Sequence, residues 1–76
     1  MTQGQLIELL LARLLQTHGG TRHRWRRLVG PVRTYSLDTH PHCNWAINPT
    51  GSCSEIEAIE QLVDDLRMGH PIVSAN

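Results

Sequence analysis

Residues 22–29 read RHRWRRLV, and the fold turns on how this octet is taken. Four arginines and one histidine are spaced among a ring and two aliphatic side chains in a period-two rhythm. As a strand, it places His23, Trp25, Arg27 and Val29 on one face and Arg22, Arg24, Arg26 and Leu28 on the other. Gly30-Pro31 supplies turn chemistry after it. From Val32 to Leu37 the alternation resumes, with Arg33, Tyr35 and Leu37 opposite Val32, Thr34 and Ser36. A loop with Pro41 follows over 38–42, and residues 43–47 give the clearest strand pattern. There Cys43, Trp45 and Ile47 face inward and Asn44 and Ala46 outward.

Helical patterns flank this region. Residues 3–17 carry apolar side chains at 6, 7, 9, 10, 11, 12, 14 and 15, more of the circumference than a surface helix needs, and Gly19-Gly20 stops the run. Ser54 and Glu57 fit a capping box opening a second helix, whose apolar positions 56, 59, 62, 63 and 66 form one stripe. Met68-Gly69 and then His70-Pro71 close it. The expected fold is therefore α+β in the order α-β-β-β-α, a three-stranded antiparallel sheet with both helices on one face. Residues 1–76 form one small domain, with 70–76 a tail or short edge strand.

This order resembles, in topology, that of the double-stranded-RNA-binding domain. The resemblance implies a basic start to the second helix, set against phosphates. Glu55, Glu57 and Glu60 stand there instead, and no residue role carries over.

Composition bounds the chemistry. Apolar residues make up 39% of the chain and charged residues 18%, an ordinary globular balance that excludes a disordered or polybasic segment. Seven basic residues balance seven acidic ones, and every basic residue is Arg. No apolar run reaches the roughly 20 residues that cross a bilayer. The first fifteen residues lack the basic start and cleavage site of a secretory signal, which predicts a cytoplasmic protein with Cys43 and Cys53 reduced.

Three clusters are candidate sites. Arg22, Arg24, Arg26, Arg27 and Arg33 form a basic group without an interrupting acid, suited to phosphate contacts if the Arg22-Arg24-Arg26 row lies on an open sheet face. On that register all three rings, Trp25, Tyr35 and Trp45, point to the core, so no stacking platform accompanies it. The excess apolar surface of the first helix, through Leu6, Ile7, Leu9, Leu10, Leu11, Leu14 and Leu15, points to a second subunit as cover. His40, His42, Cys43 and Cys53 are the residues zinc could draw on. Cys53 stands alone, however, and no Cys-x-x-Cys occurs, so Cys43 reads more simply as a core residue and the histidines as exposed loop residues. A Cys43–Cys53 disulfide would suit a small core but not a reducing compartment. No catalytic residue, cofactor, metal or small-molecule substrate is expected. The sequence thus favours a non-enzymatic protein-interaction module that self-associates as a homodimer through the first helix, with nucleic-acid binding by the arginines as the alternative.

Overall fold

The computed structural model describes residues 1–74. Its elements run α1 (Gln3–His18), α2 (Arg22–Val29), β1 (Val32–Thr34), β2 (Trp45–Ile47) and α3 (Cys53–Gly69). Among the described residues there are three helices and a two-stranded antiparallel sheet, so the three-stranded α-β-β-β-α arrangement is not the fold. The topological resemblance to the double-stranded-RNA-binding domain goes with it.

The difference lies in residues 22–29, which are helical. Trp25 and Val29 are buried and Leu28 half-buried. These three sit at i, i+3 and i+4, the spacing of one helix face, and burying them together outweighs the alternation of the arginines. Thr21 caps the start, its hydroxyl oxygen accepting from the Arg24 N–H at 3.2 Å. Gly30, with φ 70°, ends the helix in a conformation that costs a residue with a Cβ.

The helix α1 is closed at its start by a capping box between Thr2 and Gln5. Leu6, Leu10, Leu11 and Leu14 are fully buried. The helix packs on both α2 and α3, so the second layer of cover comes from the chain itself. The cap of α3 lies two residues earlier than expected: Ser52 is the N-cap and Glu55 its reciprocal partner, not Ser54 and Glu57. Ala58, Ile59, Val63 and Leu66 are the buried stripe of α3, with Ile56 and Leu62 at its margins.

The sheet pairs Val32 with Ile47, Arg33 with Ala46 and Thr34 with Trp45, and one further bond runs from Tyr35 N–H to the Asn44 carbonyl. Two inward or outward assignments are reversed here. Tyr35 is exposed, while Asn44 is buried. The Asn44 amide is tolerated inside because both of its polar atoms bond to the main chain of Val73, at 2.8 Å each. Residues 70–74 cross the molecule as an extended strap that meets Thr2 in a single parallel bridge at Ser74. The last two residues of the expected tail lie outside the described part.

Trp25 and Trp45 are core rings, and each indole N–H has a carbonyl partner. Trp25 donates to Gly19 at 2.7 Å and Trp45 to His70 at 2.8 Å. No described helix is long and apolar enough to cross a membrane.

Candidate functional site

The basic octet becomes a helix whose first two arginines are held by the chain's own carboxylates. Arg22 makes a bidentate pair with Glu8 of α1, one arm at 2.6 Å. Arg24 donates from Nε and Nη2 to Glu55 Oε2, at 3.1 and 2.7 Å. These pairings have a physical reason. Arg22 and Arg24 occupy the first turn of α2, where the helix dipole opposes positive charge, and the two carboxylates bring compensating negative charge there. The Arg22 hydrogen bond holds the Glu8 carboxyl below its ordinary value, with Arg26 adding a longer-range attraction. Glu55 is also held low, first by the Ser52 N–H that its Oε1 accepts at 3.0 Å and then by Arg24. A single carboxylate thus caps α3 with one oxygen and ties down α2 with the other.

The Arg22-Arg24-Arg26 row expected on one strand face therefore does not form, and the five arginines of the cluster divide. Arg22 and Arg24 are engaged within the fold, while Arg26, Arg27 and Arg33 are exposed and have no direct ion-pair partner among the described residues. Arg33 lies on β1, two residues before Tyr35. The Tyr35 ring stacks on His40 with centroids 4.4 Å apart and planes at 22°. The Ser36 carbonyl accepts from the N–H groups of Thr39 and His40 and orders the loop between them.

The interface candidates of α1 divide by burial. Leu6, Leu10, Leu11 and Leu14 are at the centre of the core, and Ile7, Leu9 and Leu15 are half-buried against it. Among the described residues, no three His, Cys, Asp or Glu side chains are close enough to hold a metal ion, so His40, His42, Cys43 and Cys53 are not brought together. Both cysteines are free thiols, Cys43 half-buried and donating to the Trp45 carbonyl at 3.5 Å, Cys53 exposed on α3.

An acidic surface runs along the outer side of α3. Glu57, Glu60, Gln61 and Asp64 are exposed there at helical spacing, with the half-buried Ile56 beside them. A shallow hollow of about 450 Å³ is lined by Ile56, Glu57, Glu60, Gln61, Asp64 and Cys53. On the other side of the Glu60–Asp64 ridge, a hollow of about 260 Å³ reaches Ile47, Pro49, Val63 and Arg67. Asp64 has Arg67 at 3.6 Å, whereas Glu57 and Glu60 have no basic partner among the described residues. The signal was the charge count: five carboxylates against one arginine between residues 55 and 67. Positions 57, 60, 61 and 64 bring that charge to one helix face.

No family model, curated protein or solved structure matches this chain significantly.

Proposed function

We propose that this chain is a non-enzymatic protein-interaction module that self-associates through its charged helices. The acidic ridge of α3 in one copy meets the free arginines of α2 in the other. One observation carries this reading. Among the described residues, pairing of the opposite charges stops half-way, leaving Arg26 and Arg27 without an ion pair on one helix and Glu57 and Glu60 without one on another. A two-fold contact satisfies both sets twice over, because each copy offers both surfaces. Leu6, Leu10, Leu11 and Leu14 of α1 are fully covered by the chain itself, which favours the charged helices over α1 as the contact. Nucleic-acid binding through Arg22, Arg24, Arg26, Arg27 and Arg33 is the weaker reading, because Glu8 and Glu55 neutralise two of the five and Glu8 attracts a third.

Charge reversal and mixing test it. Sedimentation of the intact chain at low salt is expected to show a dimer that dissociates at high salt. The doubly reversed variants Glu57→Arg/Glu60→Arg and Arg26→Glu/Arg27→Glu are each expected to be monomeric and, when mixed, to form a one-to-one complex. A chain that is monomeric at high concentration and low salt overturns the proposal.

A further inference from the structure

The strap at residues 70–74 is held in a way that differs from the rest of the core. Six of its polar main-chain groups are bonded to other parts of the chain. The His70 carbonyl accepts from the Trp45 indole, and the Pro71 carbonyl from the Asn44 N–H at 3.1 Å. The Val73 N–H and carbonyl meet the two ends of the Asn44 amide. The Ser74 N–H donates to the Met1 carbonyl at 2.9 Å, while its own carbonyl accepts from the Gln3 N–H at 3.2 Å. The side chains contribute less: Val73 is 3% exposed, but Ile72 is 40% exposed and Ser74 is also on the surface.

This is the arrangement of a groove that receives an extended peptide. The main chain is read by hydrogen bonds, and one pocket reads an aliphatic side chain. Asn44 makes the groove specific for extended backbone. It is buried, and both its donor and its acceptor lose their partners if the strap lifts away, which favours refilling of an emptied groove by another extended segment. The peptide shown to fit is the chain's own Pro71–Ser74.

We propose that this groove is a peptide-binding site and that the same strap from a second copy occupies it by exchange. Every contact of the closed form is preserved in the exchanged form. The change is confined to the hinge after α3, at Gly69 and His70, and concentration sets the balance between the two. The exchange is independent of the charged helices, because none of the groove's bonds involves an ion pair.

Native mass spectrometry of the intact chain tests it, with nitrogen-15-labelled and unlabelled pools concentrated, mixed and held at high salt, where the charged contact is screened. Mixed-mass dimers are expected. An excess of a synthetic peptide of residues 70–76 is expected to convert them to monomers carrying one peptide each. Asn44→Asp, which keeps the shape but loses the donor to the Val73 carbonyl, should abolish the capture, and equal capture by this variant overturns the proposal. If that variant does not fold, amide exchange in the unaltered chain decides. The Val73 N–H should exchange at least about tenfold faster than the core amides of α1, as a separately opening segment does. Equal rates, or no dimer and no peptide capture at high salt, overturn the proposal. Failure of the charged-helix contact registers elsewhere, as the absence of a salt-sensitive dimer and of a complex between the reversed variants.

Discussion

Individual side chains in this molecule repeatedly do two jobs at once. Trp45 fills the core, donates its indole N–H to His70 and takes Arg67 over its ring at 5.6 Å from the centroid. Asn44 pairs its main chain and its side chain with the same strap. Glu8 and Glu55 join α2 to the two longer helices, and their titration should be visible in stability. Both carboxyls are held below the ordinary glutamate value of 4.5, Glu8 chiefly by Arg22 and Glu55 chiefly by the Ser52 N–H. A carboxyl with a lowered native pKa binds protons more weakly folded than unfolded. Its contribution is therefore complete above the ordinary value and lost as pH falls through the lowered native values. Urea unfolding across a pH series should show stability declining below about pH 4.5. The double variant Glu8→Gln/Glu55→Gln should be less stable at neutral pH and show a shallower decline in acid. An unchanged acid slope would mean that the two pairs add nothing to the folded state.

At the scale of elements, α2 is the one that depends most on its surroundings. Eight residues are too few for a helix to persist alone in water, and its first turn carries positive charge. It stands on the Thr21 cap, the burial of Trp25 and Val29, and the two arginine pairs. Thr21→Ala removes the acceptor for the Arg24 N–H and should cost about 1 kcal/mol, read from the denaturation midpoint at unchanged slope. The same element shows how far the sequence could be read. Both long helices were legible because their apolar spacing and glycine stops agree. Residues 45–47 were legible as strand because Trp45 and Ile47 flank a small residue. The octet was not, because Arg22, Arg24 and Arg26 satisfy period two while Trp25, Leu28 and Val29 satisfy the helix, and the conflict is settled by what α1 and α3 offer as a packing surface. Tyr35 and Asn44 were misassigned for a related reason. Alternation cannot foresee that an amide will be drawn inward by a strap 29 residues later in the chain. The arginine cluster was legible as a group, but its neutralisation required Glu8 and Glu55 to be brought beside it from both sides of the sequence.

On the scale of the whole molecule, the accessible surface is 4856 Å². Size scaling gives roughly 4700 Å² for a folded monomer of this mass. The chain therefore closes its core to the extent expected of a folded monomer, and on the proposed reading association follows folding. That order has a thermal consequence. At high salt the charged contact is screened, so the dependence of Tm on protein concentration should be weaker there and come from strap exchange alone. At low salt the proposed contact would join only folded chains, and mass action should then raise Tm as concentration rises. A gain of about 1 kcal/mol moves the midpoint by roughly 4–8 °C in a domain of this size, well within what scanning calorimetry resolves. An equally strong concentration dependence at both salt levels would place the main association in contacts that salt does not screen, such as strap exchange. A Tm that is flat at both would show that the unpaired charges of α2 and α3 do not meet in solution.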